Sequence, residues 1–200
     1  LEFEAVLHAT GRRANTEGLG LENTDVELRP NGTIVVDEFC QTAVENVFAV
    51  GDVNGGLQFT YVSLDDFRVV NGYLHGNKEY TTADRKNVPY STFISPALSH
   101  VGLHKEEAEA AYPNVAVASL PVANMPRGAV NQDPRGLFRV TVDKDTNLIL
   151  GATLFGKNSE EIINLIKMAI DNKIPYTYIR DQIFTHPTMA ENLNDVFKLI

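Results

Sequence analysis

Leu137-Phe138-Arg139-Val140-Thr141-Val142-Asp143 is followed by Lys144-Asp145-Thr146-Asn147 and then by Leu148-Ile149-Leu150-Gly151-Ala152-Thr153-Leu154-Phe155. Two strand-like runs joined by four polar turn formers spell a hairpin, and so an antiparallel sheet in the second half of the chain. Downstream, Ser159 to about Asn172 reads as a helix. Ser159 is its expected N-cap, and Glu160 and Glu161 fall in the first turn, where carboxylates suit the helix dipole. Its apolar residues, Ile162, Ile163, Leu165, Ile166, Met168, Ala169 and Ile170, occupy more than one face, so the helix is expected to be covered on two sides. Pro175 to Gln182 and Pro187 to Leu199 read as two final helices. Upstream lie strands at Tyr90 to Ser95 and Val115 to Val122, with a short helix at Lys105 to Tyr112. Strands grouped with helices around them define an α+β domain over residues 89–200.

The first half has a different rhythm. Residues 75–88 are polar and charged and read as a linker. Before them, Ser63 to Leu74 carries a helical pattern with Leu64, Phe67, Val70 and Leu74 on one face. Val47 to Val50 and Thr33 to Asp37 are strand candidates, and Ala14 to Asn31 is a turn-rich connector. Leu1, Phe3, Ala5 and Leu7 alternate with other residues as a strand running into Ala9-Thr10-Gly11-Arg12. A strand opening a chain in mid-pattern suggests a piece of a longer protein.

The 200 residues carry 17 Lys and Arg against 26 Asp and Glu, a formal charge of −9. That balance argues against nucleic acid or an anionic membrane surface as partner. One cysteine, Cys40, allows neither an intrachain disulfide nor a dithiol pair. No apolar run approaches the roughly 20 residues of a membrane span, which makes the cytoplasm the default.

Three local clusters could carry chemistry. In Val47-Phe48-Ala49-Val50-Gly51-Asp52 a glycine at a strand end admits a ligand to the backbone, and Asp52 could accept bonds from sugar hydroxyls. The same residues also suit an Asx-type turn. Gln58-Phe59-Thr60-Tyr61-Val62-Ser63 leads into a helix N-terminus, suited either to an anionic ligand edge or to an ordinary Ser or Thr cap. In His186-Pro187-Thr188-Met189-Ala190-Glu191, Pro187 suits the first helical position. His186 then falls just outside the helix and Glu191 one turn in. A carboxylate on one imidazole nitrogen raises the basicity of the other, as an acid/base needs; a capped helix with a dipole-compensating Glu191 is the alternative. His100 and His104 stand four apart but in a loop-like stretch without a third ligand, so no metal site is expected. Cys40 reads as a small buried side chain, and Gly18-x-Gly20 lacks the strand and third glycine of a dinucleotide loop.

Ala9-Thr10-Gly11-Arg12, the block from Thr42 to Asp52 and His186-Pro187-Thr188 with Glu191 occur in that order over nearly the whole chain. The sequence resembles the C-terminal part of the pyridine nucleotide–disulfide oxidoreductases, the family of glutathione reductase, dihydrolipoamide dehydrogenase and mercuric reductase. Gly55 to Tyr61 and Gln182 to Thr188 look closest to its bacterial reactive-chlorine-resistance branch, associated with reduction of cupric ion or oxidised thiocyanate.

The resemblance implies a domain order. Residues 1–13 would be the last strand of a nicotinamide-binding domain and 14–74 the returning segment of an FAD-binding α/β domain. Residues 75–88 would link these to an interface domain at 89–200 that makes a homodimer. It implies that Gly11, Gly51, Asp52, Gln58, Phe59, Thr60 and Tyr61 face FAD. It further implies that His186, oriented by Glu191, serves as acid/base for a cysteine pair in the partner subunit. Electrons would pass from NADH or NADPH to flavin, to disulfide, and to a small-molecule or metal-ion oxidant. Retention of His186 and Glu191, where mercuric reductases depart, favours the disulfide-type arrangement. The Gly-x-Gly-x-x-Gly and Cys-x4-Cys motifs are not in these 200 residues. The chain alone is therefore expected to be inactive, to retain FAD poorly and to behave as a self-associating module.

Overall fold

The computed structural model describes residues 2–200, which form two compact units, one ending at Arg85 and the other spanning Lys86–Ile200. The second unit holds five strands: β1 (Tyr90–Thr92), β2 (Leu98–Gly102), β3 (Val115–Pro121), β4 (Leu137–Asp143) and β5 (Ile149–Phe155). They form one antiparallel sheet in the order β1-β2-β5-β4-β3. The β4–β5 hairpin runs from Leu137 opposite Phe155 to Thr141 opposite Gly151, with a register shift between Thr141 and Val142. Its turn is held by Asp143, whose carboxylate accepts the Thr146 hydroxyl at 2.6 Å and the Asp145 N–H at 3.0 Å. Those bonds, Thr146 foremost, keep the carboxyl below the ordinary carboxylate range.

Side-chain alternation gives the sheet one buried face, with Phe138, Val140, Val142, Val101 and Leu154 fully buried. α4 (Ser159–Asp171) covers β2 and β5 with Ile162, Ile163, Ile166 and Ala169, while α6 (Asn192–Phe197) covers β3 and β4 with Leu193, Val196 and Phe197. α2 (Lys105–Ala111), α3 (Pro126–Val130) and α5 (Tyr176–Asp181) complete the unit, and α5 packs on α6. This is the α+β architecture that the hairpin and its flanking helices imply.

Three details of this unit differ from expectation. The stretch around His100 is an interior strand, β2: its polar side chains are satisfied by packed neighbours, Ser99 bonding to Ser91 of β1 and to Ser159, and His100 to Thr153 of β5. At its end Gly102 has φ 77, and a Cβ there would stand 2.3 Å from the Leu150 carbonyl oxygen, so the crossing admits only glycine. Ser159 does not cap α4. The N-cap is Asn158 in the left-handed region, and the Ser159 hydroxyl instead bonds to the Ala97 carbonyl and to Ser99, tying helix to sheet. Pro187 does not open a helix; its bond to His186 is cis and the helix begins at Asn192.

The first unit has one α-helix among the described residues, α1 (Thr60–Leu74). The expected strand over residues 1–13 is not formed: Leu1 lies outside the described residues, and residues 2–13 take part in no strand or bridge. The two candidates at Thr33 to Asp37 and Val47 to Val50 reduce to isolated bridges, Leu28 with Ile34 and Gln41 with Phe48. The buried stripe of α1 is Val62, Asp66 and Val69, whereas Leu64, Phe67 and Leu74 are exposed. A carboxylate occupies the middle of that stripe, and apolar periodicity therefore selects the wrong face.

Candidate functional site

In the first unit the site is built around a buried carboxylate. Gly51–Asn54 forms a 3-10 turn in which Gly51 takes φ 75, and its N–H donates to Asp66 Oδ2 at 2.7 Å. Asn54 Nδ2 donates to the same oxygen at 3.0 Å, and Arg85 Nη2 to Asp66 Oδ1 at 2.7 Å. The Arg85 Nε donates to Asp65 at 2.8 Å, and the Tyr80 hydroxyl to Asp65 at 2.9 Å. Three donors around a buried carboxylate offset its desolvation, which an unpaired charge in that place could not. A Cβ on Gly51 would sit 2.7 Å from Ser63 Oγ, so the turn can lie this close to α1 only with glycine there.

That turn presents Asp52. The turn is closed by backbone, Gly55 N–H to Asp52 C=O at 3.2 Å, rather than by the Asp52 side chain as an Asx turn would be. The Asp52 carboxylate is half exposed and accepts from Arg12 Nη1 at 3.3 Å, which brings the Gly11-Arg12 segment to it. Nearby in sequence, α1 starts after Phe59 without a side-chain cap, so no serine or threonine fulfils the capping alternative. Thr60 and Tyr61 form its first turn, with Arg68 over the Tyr61 ring at 5.3 Å. Cys40 is fully buried, and burial, followed by the Asp66 charge, pushes its thiol up to about 12, far from a nucleophile's range.

In the second unit His186 Nδ1 lies 3.0 and 3.1 Å from the two Glu191 oxygens. The imidazole is 73% exposed and the carboxylate 14%. Glu191 is held in turn: its N–H donates to Thr188 Oγ1 at 3.1 Å, and the Thr188 hydroxyl donates to the Thr185 carbonyl at 2.8 Å. The helical-turn spacing expected between His186 and Glu191 is thus replaced by a loop that folds back, with Glu191 at the N-cap of α6. An ionised carboxylate can only accept, so Nδ1 is the nitrogen that donates to Glu191, and in the neutral ring Nε2 is left as the acceptor.

His100 and His104 stack at 3.7 Å between centroids, and His100 is otherwise engaged by Thr153 and the Gly102 carbonyl. No group of three His, Cys, Asp or Glu suited to a metal exists among the described residues. The structure therefore assembles the candidates into two places, Gly11, Gly51 and Asp52 in one and His186 with Glu191 in the other. Sequence reasoning missed Asp66 and Arg85, whose one visible signal is the acidic pair Asp65-Asp66 interrupting an apolar helix pattern.

The chain belongs to the pyridine nucleotide-disulphide oxidoreductase family: its dimerisation domain matches residues 88–197, more than half of the chain, and a second domain of the family matches residues 1–66. Over 200 residues the chain is 48% identical to the pyridine nucleotide-disulfide oxidoreductase RclA of Escherichia coli K12, spanning 45% of that protein. It is 34% identical over 191 residues to the glutathione reductase of Burkholderia cepacia, spanning 42% of it. The solved structure of E. coli RclA, a HOCl-induced flavoprotein disulfide reductase, matches 96% of this chain with a TM-score of 0.93 at 47% identity, over 44% of its own length.

Proposed function

We propose that this chain is the C-terminal part of an FAD-dependent NAD(P)H oxidoreductase of the disulfide reductase type. In that reading residues 1–13 end the nicotinamide domain, 14–74 return to the FAD domain, 75–88 link, and 89–200 dimerise. The chain's contribution is the homodimer interface and an acid/base pair delivered to the partner subunit's flavin and dithiol site. The 200 residues alone are a self-associating module without turnover and with poor FAD retention. The exposed Leu165 and Met168 on α4, whose other side is the core, support self-association through this unit.

The observation that carries the reading is His186 held on Glu191 with an exposed ring. Nε2 takes a proton from a thiol of the partner's cysteine pair, Glu191 stabilises the imidazolium, and the proton is later returned to the product. The first unit's donor set suits the flavin. A half-exposed carboxylate at Asp52 can accept from ribityl hydroxyls, and an N-terminus of α1 without a side-chain cap can face an electron-rich ring edge. Gly11, Gly51, Asp52 and Gln58 to Tyr61 would hold it. When bound, FAD supplies a reversible two-electron store between nicotinamide and thiols.

The final acceptor is a small-molecule or metal-ion oxidant; two matched structures of E. coli RclA are described as Cu(II) complexes, which supports including a metal ion. No helix among the described residues is long and apolar enough to cross a membrane. The net charge of −9 supports a protein without nucleic-acid partners, and we place it in the cytoplasm.

The test is His186→Ala in the full-length dimer, followed by stopped flow. Flavin reduction by NAD(P)H should be unchanged, while reoxidation by the oxidant slows about 100-fold. Two unchanged half-reactions would remove His186 from the chemistry.

A further inference from the structure

We propose that Asp66, clamped by Arg85, is a positioning residue for the flavin: it acts through the Gly51–Asn54 turn to set where the Asp52 carboxylate stands. The inference rests on the FAD reading above and extends it to a residue one shell behind the candidate contacts. Asp66 Oδ2 is the shared acceptor for the Gly51 N–H at 2.7 Å and the Asn54 amide at 3.0 Å, so both ends of the turn hang from one oxygen. The other oxygen is taken by Arg85 at 2.7 Å, which fixes the carboxylate's rotation. Asp66 lies in α1, the same helix whose N-terminus would face the flavin, so one rigid element sets the geometry of both contact groups.

Asp65 provides the internal control. It bonds to Arg85, Tyr80 and Arg68, and none of its bonds reaches the turn. An effect carried by the Arg85 ion pair alone would reach the flavin through either aspartate, since both bond to that guanidinium. A positioning role makes them different.

Apoprotein of the full-length enzyme is reconstituted with FAD, and the dissociation constant is read from quenching of flavin fluorescence, alongside the bound flavin's visible spectrum. Asp66→Asn is expected to weaken FAD about tenfold, in line with a charged acceptor lost to the turn, and to shift the visible band. Asp65→Asn should leave affinity within about twofold and the spectrum unchanged, although it loses its charge opposite Arg85. Arg85→Lys, which keeps the charge, should retain most of the affinity. Unchanged affinity and spectrum in Asp66→Asn would overturn the proposal, as would an equal loss in Asp65→Asn. If Asp66→Asn does not fold, Asn54→Ala decides, and FAD affinity equal to wild type overturns it. A wild-type protein that binds no FAD would sink the flavin reading and this inference together, whereas tight binding indifferent to Asp66 would sink this inference alone.

Discussion

The two units solve the problem of backbone satisfaction in different ways. In Lys86–Ile200 the strands pair with one another, and the buried side chains from Val101 to Phe197 form one apolar cluster under α4 and α6. Up to Arg85, extended segments meet only through isolated bridges, and the buried apolar residues described there are few: Ile34, Cys40, Ala49, Val62 and Val69. Order in that unit comes from polar side chains that bond to backbone. Asp37 holds the N–H groups of Phe39 and Gln41, Arg29 holds the carbonyls of Ile34 and Asn54, and Asp66 holds Gly51. Such a region is specified by a handful of hydrogen bonds with strict geometry, whereas a packed sheet spreads its stability over many interchangeable apolar contacts. The contrast suits the roles proposed above, since a turn that is to face a ligand needs placement and a domain that is to dimerise needs a firm base.

The contrast can be broken most sharply at Phe138. Fully buried at the centre of the second unit's core, it should cost that unit about 3–5 kcal/mol when replaced by alanine, measured by urea unfolding. A loss below about 1 kcal/mol would mean that this core is not what holds the sheet. A smaller effect, about 1–3 kcal/mol, is expected for Gly51→Ala, which combines a left-handed backbone with a methyl pressed on Ser63 Oγ. A neutral result would show that the first unit does not depend on the close approach of its turn to α1.

The smallest expected effect is a pH slope from His100. Burial lowers its pKa from 6.5, opposed by its bond to the Gly102 carbonyl and the Glu107 charge and reinforced by the stacked His104. The ring is neutral in both folded and unfolded chains well above 6.5, and there its contribution is fully present. As pH falls through that value the unfolded chain binds the proton first, so stability drops until the lowered folded value is passed. His100→Gln should flatten the dependence of Tm on pH over this window; an unchanged slope would assign it to other groups.

Legibility followed the same division. The β4–β5 hairpin, α4 and the short helix after Lys105 were readable because an apolar face leaves a periodic record in the sequence. β2 was not, since Ser99 and His100 look like loop residues until their partners Ser91, Ser159 and Thr153 are known. The His186 and Glu191 pair was readable as a pair of residue types, but a helical turn was the wrong geometry for it; a loop held by Thr188 brings them together. Asp66 left almost no trace, because its meaning depends on Gly51, Asn54 and Arg85, which lie 15, 12 and 19 residues away.

Local pattern alone determined that the second half folds as an α+β unit and placed turn-forming residues at Gly51-Asp52 and a titratable pair at His186 and Glu191, because hairpin turns and helical stripes are encoded by neighbours a few residues apart. Tertiary structure decided which face of α1 is buried, that Ser159 ties helix to sheet, and that a carboxylate in mid-helix carries the candidate cofactor turn. Those outcomes rest on hydrogen bonds between residues distant in the chain, and a buried polar group is stable only where such partners meet it.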